Sequence, residues 1–471
     1  MRLRAGWAQA AGGTKETRMA TTDPALEPLF GPASIVVAGA SNTPGKMGNM
    51  VARRLREGFR GRLAVVNPGE REVAGIASLP SVAEVPWPVD VLLALLPGPA
   101  LVELLEDCPA GKVRFVVAVP SGFGEVAGGG PLQERLKAAV ARMGATLLGP
   151  NIVGIMNCAA GVNASIIPLF PPGGAGLSCL TQSGGFGMAL AMYANDHAVP
   201  VAKFCDLGNM AGLAVEQVLA FYGDDPQTRV IGLFLEAVAD PDRFLEVAGE
   251  VACRKPVVLS VLGRTEAGRR ASRAHLGLES NVARLVERLP PGVVLAETGQ
   301  DLLDAAKALL WQPRPAGRRL AVVTGTGGIG SELADLAVQR GLVLPEASPG
   351  LQARMRAHLP AFAGAGNPVD ATPIWWDYPK VYPALVRALQ DSGEYDLVLV
   401  SITDVPTTFP DLAEALAALA PDLDKPVCVF WGARDQDLES MRRLQAAGLP
   451  CYRTTRAAAT AAAALAAGAP A

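Results

Sequence analysis

Three histidines occur in the 471 residues: His197, His275 and His358. Imidazole titrates near neutral pH and can also accept a transferred group. His197 in ANDHAVP and His358 in RMRAHLP stand near the ends of helical patterns, where a solvated surface role is the ordinary reading. His275 stands in GRTEAGRRASRAHLGLESN, a polar, arginine-rich segment read as a loop behind the strand KPVVLSVLG. No metal-ligand spacing surrounds it, and the chain has no G-x-S-x-G elbow, so neither zinc chemistry nor a serine-hydrolase triad is indicated. Taken alone, His275 is a loop histidine without an assigned purpose.

Three glycine-rich turns could bind anions. GASNTPGKMG, Gly39 to Gly48, lies between a strand and a helix. Glycines there let backbone N–H groups approach a phosphate, the helix start adds a favourable dipole, and Lys46 adds a cation. A site for NAD would show G-x-G-x-x-G and an acid after the second strand to hold the ribose. This chain has a different glycine spacing and ends that strand in Asn67-Pro68. A phosphate-bearing nucleotide and a plain βα turn both remain open. TQSGGFG (Thr181 to Gly187) and TGTGGIG (Thr324 to Gly330) likewise end a strand and open a helix with hydroxyls and small residues. Each reads as an anion site or as a capped, close-packed helix. PSGFGE (Pro120–Glu125) and LLGPN (Leu147–Asn151) fall after the fourth and fifth strands, at the carboxyl edge where open α/β sheets bind ligands. Ordinary turn chemistry explains their composition equally well.

The elements that must carry these turns are legible from periodicity. SIVVAGA, RLAVVNP, VDVLLALLPG and VRFVVAVPSG are apolar throughout, as strands buried on both faces are, and amphipathic stretches such as MVARRLREG and LQERLKAAVARMG separate them. That alternation predicts βαβ units and doubly wound parallel sheets. PLFPPGGAG (Pro168–Gly176) and WQPRPAGRR (Trp311–Arg319) interrupt it, and an alanine-rich helix is expected from Thr454. Three α/β units follow: 28–167, 174–312 and 317–471, preceded by a disordered extension over 1–27, or by a start that belongs at Met19.

Composition narrows the partners. Half the residues are hydrophobic and the formal net charge is -3, which gives no field for nucleic acid or an anionic membrane. No apolar run is long enough to span a bilayer. Seven cysteines, none in a C-x-x-C pair, read as reduced thiols and predict a cytoplasmic protein.

Taken in order, LFGPASIVVAGASNTPGKMG, GFRGRLAVVNP, EVAG, SGFGEV, LLGPN, GVNAS, TQSGGFG, LGN, DDPQTRVIGLFLEAV, KPVVLSVLGRTEAG and GNPVD resemble NDP-forming acyl-CoA synthetases. Examples are ADP-forming acetate–CoA ligase and, more distantly, the α chain of succinyl-CoA ligase. The resemblance runs from about Leu29 to the C-terminus. It implies a Rossmann-like CoA-binding domain followed by two flavodoxin-like ligase-CoA domains. Coenzyme A would lie with its diphosphate at Gly39, Ser41, Lys46 and Gly48, beside Asn67, Ser121, Gly122 and Asn151. His275 would take up a phosphoryl group, oriented by Glu236 and held at Gln182, Ser183, Gly184 and Gly185. Thr326, Gly327 and Gly328 are the residues that would hold a phosphate if TGTGGIG, by its own composition, is an anion site.

The departures are specific. The segment S-H-T-G of the relatives is A-H-L-G here, with Ala274 and Leu276 in place of hydroxyls; Gly69 replaces a lysine after the N-P pair, with Arg71 close by; and Gly212 and Ala214 replace aspartates after LGN. No segment remains for an ATP-grasp domain. The resemblance therefore implies an α-type subunit of a hetero-oligomer, receiving ATP/ADP with Mg2+ only through an ATP-grasp β-type partner and acting on a small carboxylic acid. The competing expectation is a catalytically degenerate CoA-binding or scaffolding protein.

Overall fold

The computed structural model describes residues 26–276, 281–403, 409–432 and 438–470. Most of the expected disordered extension, 1–25, lies outside them. Its last two residues do not fit that expectation: Leu26 is buried, and Glu27 opens helix α1 (Glu27–Phe30). No helix among the described residues is long and apolar enough to cross a membrane.

The first sheet holds β1 (Ser34–Ala38), β2 (Arg62–Val66), β3 (Glu72–Val73), β4 (Ile76–Leu79), β5 (Val89–Ala94), β6 (Val113–Ala118) and β7 (Thr146–Leu148), in the order β3-β4-β2-β1-β5-β6-β7. All pairs are parallel except β3 with β4. The central strands β1 and β5 are buried at every residue, as their unbroken apolar runs require. Helices α2 (Met47–Gly58), α3 (Gly98–Glu106) and α4 (Gly130–Met143) supply the crossovers.

The second sheet is built from β8 (Gly154–Asn157), β9 (Val162–Ser165), β10 (Gly173–Thr181), β11 (Val201–Asp206), β12 (Thr228–Leu235) and β13 (Val257–Val261), in the order β13-β12-β10-β11-β8-β9. Its helices are α5 (Gly184–His197), α6 (Val215–Asp224), α7 (Pro241–Ala252), α8 (Glu266–Leu276) and α9 (Ala283–Val286). Two features add to the expected pattern. The β8–β9 hairpin lies within 28–167, and β8 pairs antiparallel with β11 at the edge of an otherwise parallel sheet. The hairpin is buried along both strands, which secures it to the edge it pairs with. The first two sheets, moreover, are one compact unit ending at Val293. A single cluster of buried residues runs from Ile35 and Leu93 of the first sheet to Leu180 and Leu233 of the second. Phe30 stacks on Phe221 at 5.0 Å, and Arg54 of α2 donates to the Ser165 and Ile167 carbonyls.

Strand β14 (Val293–Ala296) falls at the division between the compact units. The second unit holds a five-stranded, all-parallel sheet of β15 (Leu320–Thr324), β16 (Val369–Asp370), β17 (Leu397–Ile402), β18 (Val427–Trp431) and β19 (Cys451–Tyr452), in the order β16-β15-β17-β18-β19. Its helices are α10 (Gly299–Trp311), α11 (Gly327–Gln339), α12 (Pro349–Arg356), α13 (Tyr378–Gln390), α14 (Phe409–Leu419), α15 (Leu438–Ala446) and the alanine-rich α16 (Thr455–Leu465), capped by Thr454. Helix α10 precedes the break expected at 312 but packs with this unit. Lys307 donates to the Cys451 carbonyl at 2.6 Å, and Tyr452 donates to the Asp304 carbonyl at 3.0 Å.

Candidate active site

The segment around His275, read as a loop, is the helix α8, and this corrects the sequence reading. Its Ala, Arg and Glu residues are ordinary helix formers, and Thr265 caps it by accepting the Gly268 N–H at 3.0 Å. The single glycine sits in the first turn, where it interrupts little. An ion pair between Glu266 and Arg270 at 2.9 Å adds i,i+4 support. His275 therefore occupies the last helical turn, half exposed, with Nδ1 2.9 Å from Glu236 Oε1.

Glu236 follows β12 and its side chain is only 4% exposed. Gln182 fixes the backbone there. Its Oε1 accepts the N–H groups of Glu236 and Ala237 at 2.6 and 3.0 Å, while its Nε2 donates to the Ala237 carbonyl at 2.8 Å. The Gln182 side chain is thus committed to the strand end that carries Glu236. A carboxylate on Nδ1 selects the tautomer with a proton there, leaving Nε2 a lone pair.

Beside this pair α5 begins. Thr181 Oγ1 accepts the Ser183 N–H at 2.9 Å and turns the chain, and Ser183 makes no side-chain cap. The N–H groups of Gly184 and Gly185 therefore stand at a helix start without intrahelical acceptors. A Cβ at Gly184 would lie 2.4 Å from Val153 Cγ1, so glycine is what allows the segment after β7 to approach this turn.

These parts open on a cleft of about 530 Å3. Met47, Pro97, Ser121 and Asn151 line it from the carboxyl edge of the first sheet; Gln182, Gly184, Asp206 and His275 line it from the second. Asn151, at φ 62, donates to Asn209 at 3.2 Å, and Asn209 donates to Glu125 at 2.6 Å, tying the two edges together. Burial pushes the Glu125 carboxyl up, but hydrogen bonds from Asn209 and from the Gly122 and Phe123 N–H groups outweigh it and hold the carboxyl below its usual range. The Gly122 N–H is occupied in that way.

The turn from β1 to α2 carries the other expected contacts. Gly39 has φ 91, and a Cβ at Gly48 would stand 2.6 Å from the Gly39 carbonyl oxygen, so both glycines serve the close approach of helix and strand. Lys46 is exposed at the α2 N-cap, next to the cleft-lining Met47. Asn67 braces the turn by donating to the Ala40 carbonyl at 2.9 Å, and the Ser41 carbonyl accepts from Asn49 at 2.8 Å. Thr326, Gly327 and Gly328 belong to the second compact unit, whereas every residue lining the cleft belongs to the first.

Sequence reasoning missed Asp206. It ends β11, is 1% exposed, and accepts N–H groups from Val153 at 2.8 Å and Gly208 at 3.2 Å. The available signal was a charged residue closing the buried run VAKFCD. Gly212 also gains a reason. A Cβ there would meet the Leu147 carbonyl oxygen at 2.3 Å, so this backbone has no room for a side chain.

Three family models match in sequence order: a CoA binding domain over residues 33–157, a succinyl-CoA ligase like flavodoxin domain over 173–309, and a ligase-CoA domain over 320–467. The chain is 33% identical over 451 residues to the α subunit of ADP-forming acetate–CoA ligase II of Pyrococcus furiosus, covering 93% of this chain and 97% of that one. It is 32% identical to ADP-forming acetate–CoA ligase I of Archaeoglobus fulgidus, but spans 61% of that longer protein. Among solved structures, acetyl-coenzyme A synthetase 1 of Ca. Korarchaeum cryptofilum, in complex with phosphate and ADP, superposes with a TM-score of 0.84 at 31% identity, covering 93% of this chain and 96% of that one. Identity sustained along a whole α subunit, with three domains matched in order, places the chain in the family of NDP-forming acyl-CoA synthetases, the acid–thiol ligases that include ADP-forming acetate–CoA ligase.

Proposed function

We propose that this chain is the CoA-binding, phosphoryl-carrying α-type subunit of an enzyme that converts a small carboxylic acid, CoA and ATP to acyl-CoA, ADP and phosphate. An ATP-grasp β-type partner supplies the nucleotide site and its Mg2+, so the working enzyme is a hetero-oligomer. The observation that carries this reading is the His275–Glu236 pair, 2.9 Å apart, in a cleft lined by both sheet edges.

The chemistry follows from the side chains. The Nε2 lone pair of His275 attacks the γ-phosphorus of ATP held by the partner, the P–O bond to ADP breaks and ADP leaves, and the positive charge that develops on the ring is stabilised by Glu236 through Nδ1–H. The N–H groups at the start of α5, with the Ser183 hydroxyl, hold the phosphoryl oxygens without reorganising. A carboxylate oxygen of the acid then attacks phosphorus in line, the P–N bond breaks, and an acyl phosphate leaves His275 neutral again. Attack of the CoA thiolate on the acyl carbon forms the thioester and expels phosphate. The β1–α2 turn suits the CoA diphosphate, because a strand end meets a helix start there and the exposed Lys46 at the α2 N-cap can pair with a phosphate.

Incubation of the chain with its partner and γ-labelled Mg-ATP should place one acid-labile, base-stable phosphate on His275. His275→Ala should lose label and turnover, while His197→Ala and His358→Ala keep both. The chain without its partner should give no ATP-dependent acyl-CoA. Full turnover in His275→Ala would leave the CoA-binding scaffold as the better reading.

A further inference from the structure

The cleft holds an ionisable side chain that the reaction above leaves without a role. Asp206 lines it beside Gln182, Gly184 and His275. A Cβ at Gly184 would stand 3.7 Å from Asp206 Oδ2, so the carboxyl flanks the start of α5, where the proposed phosphoryl group would sit. Both carboxyl oxygens accept backbone N–H groups, one from Val153 and one from Gly208. The titratable groups around it are His275 from α8, Glu236 from the end of β12, and the neighbouring thiol of Cys205 on its own strand. Burial pushes the Asp206 carboxyl up to about 7; the two backbone hydrogen bonds and His275 oppose the rise, and Glu236 adds to it.

An ionised carboxylate and a phosphoryl dianion at one helix start repel each other, the more so because Asp206 is buried. The backbone donors around Asp206 fix the carboxyl in place, so it cannot swing away to relieve the repulsion. We infer that anion binding in this cleft is coupled to uptake of one proton by Asp206, which changes from a repelling acceptor into a neutral group with a proton to donate. The proton comes from solvent as the anion enters and returns when phosphate departs. The inference rests on reading the start of α5 as the phosphoryl site.

Sulfate is the suitable probe, because it remains a dianion throughout the range and any proton taken up must come to the protein. Calorimetric titration of the full chain with sulfate, in two buffers of different ionisation enthalpy at about pH 8, should show uptake of roughly nine-tenths of a proton per anion, the ionised fraction for a group titrating about one unit lower. Affinity should fall about tenfold per pH unit above that point and level off below it. His275→Gln should retain the uptake; Asp206→Asn should lose it and bind sulfate equally at pH 6 and 8. The Asn amide must face the N–H of Val153 or Gly208, so a second readout avoids that variant. In wild type, infrared difference spectra should show a protonated-carboxyl band growing on sulfate addition, shifted by 13C-aspartate. Uptake that disappears in His275→Gln and persists in Asp206→Asn, uptake absent from wild type, or no sulfate binding would each overturn the inference. Labelling of His275 by the partner tests the parent reading separately.

Discussion

Replacing Glu236 with Gln probes the histidine's charge environment with little change of shape. Glu236 is 4% exposed and lies 2.9 Å from Nδ1 of the half-exposed His275, so solvent screens this contact from the histidine side alone. Its backbone N–H, held by Gln182 Oε1 at 2.6 Å, is unaffected by the side-chain change. The Gln carbonyl oxygen can still accept Nδ1–H, and what is lost is the charge that stabilises an imidazolium. A charge-assisted hydrogen bond contributes about 1.5–3 kcal/mol against about 0.5–1.5 for a neutral one. The difference between the two, about 1–1.5 kcal/mol at about 1.4 kcal/mol per decade, corresponds to roughly 5- to 12-fold in the rate of phosphoryl transfer to His275. Rapid-quench labelling of the assembled enzyme with Mg-ATP measures that rate directly. Glu236→Gln should keep its thermal midpoint and its CoA affinity while labelling falls into this range, and Glu236→Ala should fall further because orientation is lost too. Wild-type labelling kinetics in a folded Glu236→Gln enzyme would refute the argument.

Three further outcomes are expected. Lys46→Ala should weaken CoA roughly tenfold in calorimetric titration, on the scale of a charged hydrogen bond to phosphate, and NAD should not bind either protein; tight NAD binding without a CoA signal would reverse the ligand assignment. Gly48→Ala drives a Cβ to within 2.8 Å of Ala40 Cα and 2.6 Å of the Gly39 carbonyl oxygen, so overpacking of about 1–3 kcal/mol should lower the midpoint of the first unit in scanning calorimetry and weaken CoA together; an unchanged midpoint would show that the turn yields freely. Burial lowers Lys307 in the second unit to about 8. The unfolded chain therefore binds more protons than the folded one between about pH 8 and 10.5, and stability should rise with pH across that window. Lys307→Met should flatten the rise in urea titrations at several pH values, and an unaltered slope would assign it elsewhere.

Local patterns were legible in the sequence and distant pairings were not. The run SIVVA, with no polar interruption, announces a strand buried on both faces, and β1 is buried at every residue. The glycine turns after β1, β10 and β15 are equally local, because each is a strand end, a turn and a helix start within one short segment. His275 and Glu236 are different. They stand 39 residues apart, and their hydrogen bond depends on α8 carrying the histidine back across the strand ends. The resemblance supplied Glu236; the residues themselves gave His275 no partner. Asp206 escaped because its character comes from burial and from two backbone donors, neither of which has a sequence pattern. The β8–β9 hairpin escaped because short strands flanked by proline and glycine do not declare which sheet they join.

The two flavodoxin-like turns show why such a motif alone cannot assign a site. TQSGGFG and TGTGGIG fold alike. Thr181 Oγ1 accepts the Ser183 N–H at 2.9 Å, and Thr324 Oγ1 accepts the Thr326 N–H at 3.1 Å. Each turn also has an aspartate against its first helical glycine, with Asp206 Oδ2 3.7 Å from a Cβ at Gly184 and Asp370 Oδ2 3.1 Å from a Cβ at Gly327. Their surroundings separate them. Gly184 shares its cleft with His275, which is paired to a buried carboxylate, while Thr326 Oγ1 is 2.9 Å from Thr403 Oγ1. A strand–glycine–helix turn can be written in seven residues. The imidazole beside it is set by elements far along the chain, so the first turn, and not the second, is where group transfer is to be tested.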